Sequence, residues 1–189
     1  MLLRSIRRPL SMLAVCGLLL PAALLVGQTV TIKQLDTEEE GLQLVNQLED
    51  VAREVHYHAS WLNGHVRSTS ISKWTHAHHL TQIKELVNDG LRPALQRLTE
   101  IQKDLPSWHR DTVDQILAWA KSLAADTNSA ILNHNDTKSM PMPLNEEYKG
   151  LVDGINKHAE ALVKTCDAAG DYAVAQRQAL EAGLKVPRH

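Results

Sequence analysis

Phenylalanine is missing from this chain, and aromatic residues make up only 4% of it. A core for such a sequence has to come from Leu, Val, Ile and Ala, which let helices approach closely. Cysteine is scarce as well. Cys16 lies in the N-terminal apolar run, which leaves Cys166 alone in the rest of the chain, so no internal disulfide can hold that part together. Bulky Val15 before Cys16, and an apolar run that mostly follows it, argue against lipidation there.

Other absences exclude whole chemistries. Without Cys-x-x-Cys-His there is no covalent haem attachment. Without a Glu-x-x-His pair a ferritin-like di-iron centre lacks its ligands. His-Glu-x-x-His, Gly-x-Ser-x-Gly and a glycine-rich phosphate loop are missing too, which removes the common zinc-protease, hydrolase and nucleotide signatures. No recognised catalytic motif remains, and the expectation is a non-enzymatic protein.

The N-terminus carries the only long apolar run. Arg4, Arg7 and Arg8 precede an apolar stretch from Met12 to Val26, broken by Pro21. A basic start and a short apolar core predict a signal peptide over 1–27, with Leu25-Val26-Gly27 as the cleavage region. A retained N-terminal anchor is the alternative reading; the run is shorter than the ~20 residues a spanning helix needs. The chain is therefore expected to be exported, to a periplasm or the extracellular space. Without those arginines the 20 basic residues fall to 17 against 22 acidic, a net of −5. That charge argues against nucleic acid, and against any membrane contact beyond such an anchor. The expected partner is a protein of unknown identity.

Beyond a linker over 28–35, the apolar residues fall into four helical seams. In the first, Val45, Leu48, Ala52, Val55, Ala59, Leu62 and Val66 recur at alternating steps of three and four. Thr37 with Glu40 reads as its capping box. The second seam runs His76, Leu80, Ile83, Val87, Leu91, Ala94, Leu98, Ile101, Leu105, capped by Ser72 or Ser70. Two steps of four fall together around Val87, near Gly90 and Pro93, and predict a kink without a break. The third seam is Val113, Ile116, Ala120, Leu123, Thr127 and Ala130. The fourth, capped by Asn145, is Tyr148, Val152, Ile155, Ala159, Leu162, Cys166, Ala169 and Ala173. Pro141 and Pro143 mark a loop between them. The fold class predicted is all-α: an antiparallel up-down-up-down four-helix bundle over 36–184, with long helices at about 37–68, 72–105, 107–133 and 145–182 and a tail at 185–189.

"HYHASWLNGHVRSTSISKWTHAHH", from His56 to His79, holds six of the ten histidines and no acid. In an antiparallel bundle His65, His76, His79 and His134 come within roughly 15 Å of one end, at ~1.5 Å per residue. His56, His58 and His158 form a second level. Glu54, His58, Trp61 and His65 make one stripe beside the first seam, and His76 and His79 share a face three residues apart. Trp61 and Trp74 are expected to cover the core near the first link.

Two function classes follow. The first is an exported bundle with a binding, adaptor or stress-related role, its histidines being polar flank residues, with no cofactor. The alternative is a periplasmic transition-metal protein. It would bind zinc, copper or nickel through His58, His65, His76 and His79, with His134 or His158 closing the set. A b-type haem protein with histidine ligands is a third reading.

Overall fold

Alternating three-and-four spacing demands helices, and the computed structural model, which describes residues 32–136 and 145–183, is helical in all its regular elements. Helix α1 is Ile32–His65. Helix α2 runs through Lys73–Glu85, a π turn at Leu86–Leu91 and Arg92–Ile101, then tightens into a 3-10 turn at Gln102–Asp104. Helix α3 is Ser107–Asp136 and helix α4 is Glu146–Glu181. The expected signal peptide, the Pro141–Pro143 loop and the tail fall outside the described residues. No helix among those described is long and apolar enough to cross a membrane.

Two caps are where the side chains can make them. Ser72 Oγ accepts from the Thr75 amide at 3.2 Å, and Asn145 Oδ1 from the Tyr148 amide at 3.0 Å. The expected capping box at Thr37 and Glu40 is not a cap. α1 already begins at Ile32, within the expected linker, and both residues lie inside it. Glu40 is used across the hairpin instead. Its two oxygens accept from Arg97 Nε at 2.6 Å and Nη2 at 3.1 Å, which draws its carboxyl below the usual range.

The four seams close on one core. Leu48, Leu62, Leu98, Ile116, Leu123, Ile155 and Leu162 are completely buried, and alanines at 52, 59, 130 and 159 face them. The pairs between helices run in opposite numerical directions. His58 meets His79 while Glu40 meets Arg97; Ser60 meets Asn156 while Arg53 meets Asp167. Asn133 meets Asn145 while Asp126 meets His158. Cys166 is a buried core residue whose thiol is pushed up to about 12, chiefly by burial. The fourth seam stops earlier than expected: Ala169 is its last buried residue, Ala173 is half-buried, and Tyr172 and Val174 are open to solvent. Residues Glu38, Glu39 and Leu42 of α1 and His109 of α3 line a shallow pocket with Ala173, Gln176 and Arg177 of this last stretch.

The slip in the second seam is the π turn. The Arg92 amide bonds to the Val87 carbonyl, five residues back, so one wide turn takes up the extra spacing and the helix stays continuous. It ends just before Pro93, which stands in the first turn of the next α-helical stretch, where a missing amide costs least. Gly90 sits inside it because α1 is close: a Cβ there would lie 2.7 Å from Val51 Cγ1. Valine is stiff at χ1 and cannot swing aside cheaply. Gly90→Ala is therefore expected to destabilise the fold by about 1–2 kcal/mol despite alanine's better helix propensity. Val51→Ala should recover the crowding part of that loss. Urea titration of the single and double variants checks it, and additive costs would show that the contact is not what selects glycine.

Candidate functional site

The end of the molecule nearest the first link gathers imidazole and indole rings from α1 and α2. His58, Trp61 and His65 share one stripe of α1, as the steps of three and four require, and all are half-buried. Trp61 forms the centre. Its indole stacks on His79 at 4.0 Å between centroids and on His65 at 4.3 Å, with interplanar angles of 16° and 20°. Two rings at those separations collide if they share one face, so they cover opposite faces. Trp61 also packs against the apolar core, as expected of it.

His79 then turns its edge to His58. The two Nδ1 atoms are 2.9 Å apart, one donating its proton to the other. From there the rings continue outward in both directions. Tyr57 lies edge-on to His58 at 5.3 Å; His78 lies edge-on to His79 at 5.5 Å; Trp74 stacks on His78 at 5.8 Å. The two ends of this band are open: Tyr57 is 66% exposed and Trp74 75%. Trp74 therefore does not cover the core. It precedes the seam residue His76 by two positions, so it projects from the opposite side of α2.

His76 goes inward. It is fully buried, and its Nδ1 shares a hydrogen bond of 3.1 Å with the hydroxyl of Tyr148, itself fully buried on α4. His76 and His79 share a helix face, yet their ring nitrogens serve different partners. The closest imidazole pair joins the two helices through His58 and His79. His65 holds the backbone oxygen of Trp61 with Nδ1 at 2.8 Å. His134 is buried and its Nε2 holds the carbonyl of Lys73 at 3.0 Å, tying the end of α3 to the start of α2. His158 does not join the cluster. It pairs with Asp126 Oδ2 at 3.0 Å and faces Trp119. Among the described residues, no group of three or more His, Cys, Asp or Glu side chains is arranged to hold a metal ion.

Three imidazoles of the cluster, His58, His76 and His79, are held below the ordinary histidine range. Burial, then His58, His78, His76 and His65 in turn, hold the His79 imidazole down to about 4. Burial and His78 lower His58 against the opposing pull of Glu54. Burial, His134 and His65 lower His76. Each ring resists a proton because its neighbours are apolar surface or other imidazoles.

The Tyr148 hydroxyl is a partner that sequence reasoning passed over. The signal was there, since His76 and Tyr148 are both seam residues just after caps at the same end. A buried nitrogen left without its partner costs about 1–3 kcal/mol. Tyr148→Phe is expected to lose that amount, and His76→Leu together with Tyr148→Phe to lose less than the two singly. A full additive loss in the double-mutant cycle would mean the two rings merely sit near each other.

Comparison with protein families, with curated proteins and with solved structures returned no match.

Proposed function

We propose that this chain is an exported, non-enzymatic binding or adaptor protein. In this reading the signal peptide over 1–27 is removed and the remainder is an antiparallel up-down-up-down four-helix bundle. The opposed residue numbering of the interhelical pairs supports that topology. The working face is the ring band from Tyr57 through His58, His79 and His78 to Trp74.

One observation carries the reading. Two large aromatic side chains stand in solvent at the two ends of a continuous run of rings. Tyr and Trp offer wide apolar contact with little entropy to lose, and they concentrate where proteins recognise one another. Nothing in the packing of the core needs either of them. The stretch from His56 to His79 has no acidic residue, so a partner of net negative or neutral surface meets no repulsion there.

The test uses the producing cell. A photo-crosslinking residue replaces Trp74 in one strain and exposed Gln96, on the far half of α2, in another. A discrete protein adduct from position 74 and none from 96 is expected. Equal adducts from both positions, or none from 74, defeat the reading. N-terminal sequencing of the same material should begin near Gln28; an intact Met1 in a soluble cytoplasmic fraction overturns the export.

A further inference from the structure

We infer that the cleft between α2 and α3 beside the π turn binds a medium-chain fatty-acid carboxylate, its acyl chain lying along the cleft and its carboxylate held between Arg92 and Lys121. The inference goes beyond the docking role of the ring band and does not rest on it, since the cleft belongs to the other half of α2.

Packing makes the cleft. At Gly90, α2 lies so close to α1 that a Cβ would fall 2.7 Å from Val51 Cγ1. Toward α3 the same stretch leaves a cavity of about 330 Å³. Leu95 of α2 and Leu117 of α3 line it, both half-buried, with Ala120 and Ala124, whose side chains end at Cβ and leave the space. On α2 the lining residues Val87, Leu91, Leu95 and Thr99 recur every four positions, one stripe along the helix. That stripe is about 15–18 Å long at ~1.5 Å per residue. A long, narrow, mainly apolar slot suits a chain.

The charge at the cleft has one sign. Arg92 of α2 and Lys121 of α3 line it, and no acid does. Both are exposed, and neither makes an ion pair among the described residues, whereas Arg53, Arg97, Lys149, Lys157 and Lys164 each hold a carboxylate. The two cations also stand at nearly one level. Gln102 of α2 donates to Asp114 of α3 at 2.7 Å, and toward the other end His134 meets Lys73. Arg92 is ten residues before Gln102, and Lys121 is seven after Asp114. That places them within about one helical turn, ~5 Å, of the same height. Cations on facing helices with no acid between them attract an anion to the mouth of the cleft.

Size and charge together choose the occupant. At about 30 Å³ for a group the size of water, and a methylene is similar, the cleft holds a chain of about ten carbons. A partner helix is ~10–12 Å across, so a single turn of it fills about 400–500 Å³, more than the cleft offers. Inorganic phosphate would satisfy the cations and leave the apolar lining wet. A neutral lipid would cover the lining and leave the cations unused. A single-chain carboxylate meets both demands, with the long stems of Arg92 and Lys121 lying against its first carbons and their charged heads in water.

The experiment titrates the untagged mature chain with sodium decanoate, kept below the concentration at which it forms micelles, in an isothermal calorimeter. Saturable binding of one equivalent is expected. Affinity should rise about two- to fourfold for each methylene from hexanoate to decanoate, fourfold being the limit of complete burial. It should level off once the chain outgrows the cleft. Decanol should bind about tenfold more weakly than decanoate, and decanoate about tenfold more weakly to the Arg92→Gln, Lys121→Gln double variant. Ala124→Leu fills the cleft from its own lining and should abolish binding. Leu95→Gln adds no bulk and should weaken binding by about tenfold, which keeps the test open if the larger side chain disturbs the fold. Circular dichroism checks that each variant is folded. His79→Gln, in the ring band, should leave decanoate binding unchanged. No saturable heat at millimolar decanoate, or full affinity in folded Ala124→Leu or Leu95→Gln, overturns the site. Equal affinity for decanol and decanoate overturns the role of the two cations. A protein adduct from a crosslinker at Gln96, which also lines the cleft, overturns the occupant.

Discussion

Leu162→Ala is expected to cost about 2–5 kcal/mol, toward the upper end of that range. Leu162 is completely buried near the middle of α4. The cost of a cavity depends on whether the neighbours can fall into it. Much of this core is alanine, which has nothing to extend, and β-branched Val and Ile, which hold one rotamer in a helix. The large ring fully buried in the core, Tyr148, lies fourteen residues away along α4, too far to tilt into the gap. For a domain of this size each kcal/mol lowers the melting temperature by about 2–4 °C, so a fall near 10 °C is expected. Urea unfolding should show a lower midpoint at unchanged slope, the sign of lost stability without a changed unfolded state. Leu48→Ala, equally buried on α1, serves as the second probe. A loss below ~0.5 kcal/mol at both sites is incompatible with the core described, since buried leucines elsewhere never come so cheap.

Acid should unfold the protein earlier than its carboxylates require. His79 and His109 are both held down to about 4, and His58 and His76 are lowered as well, by burial first in every case. In the unfolded chain each returns to about 6.5. Between those values the unfolded state holds more protons than the folded one, so stability rises with pH. It is complete above about pH 6.5 and drains away as the pH falls toward 4. His109, buried at the opposite end, contributes about 2 kcal/mol of loss by pH 5. The half-buried His79 contributes less than its shift suggests, because water screens it. The lowered carboxyls of Glu40, Glu146 and Glu160 begin to cost stability only as the pH nears their ordinary 4.5, so they add little to the loss above about pH 5. The melting temperature should fall by at least about 5 °C between pH 7.5 and 5. His109→Gln should flatten the curve, and His79→Gln should flatten it further. A melting temperature constant within about 2 °C over that range would mean the imidazoles charge freely in the folded state.

What could be read from the chain was what repeats. Val45 to Val66, Leu80 to Leu105 and Val113 to Ala130 are buried at the positions their spacing assigns, because a periodic signal is confirmed again at every turn. Single events were harder. Thr37 and Glu40 look like a cap in sequence, and only the presence of Arg97 across the hairpin shows what Glu40 does. The slip around Val87 was visible, but spacing alone cannot tell a bend from a widened turn; both take up the same residue. At the ring cluster, helix periodicity put His58, Trp61 and His65 on one stripe correctly. It also grouped His76 with His79, because it sees faces and not side-chain directions. The seam position of His76 sends its ring into the core toward Tyr148. His79, a step off the seam, is left at the edge where Trp61 and His58 are. Trp74 was misjudged for a related reason: large apolar area suggests burial, while its place in the helical turn points it to solvent.

The π turn also acts as a phase setter. From Ile83 to Leu91 the seam makes two turns with eight residues. A regular α-helix would wind those eight residues through about 2.2 turns and overshoot by roughly 80°. Both halves of α2 could not then face the core together. If Leu91, Ala94 and Leu98 kept their places, Ile83, Leu80 and His76 would be rotated a quarter-turn away, and His79 would be carried off His58 and Trp61. The bearing of the imidazole rings is therefore set by an irregularity in the backbone about two turns distant. A substitution that turned 86–91 into regular α-helix with no residue removed would act on the ring cluster without touching it, as a change in the angle at which one half of the helix is presented.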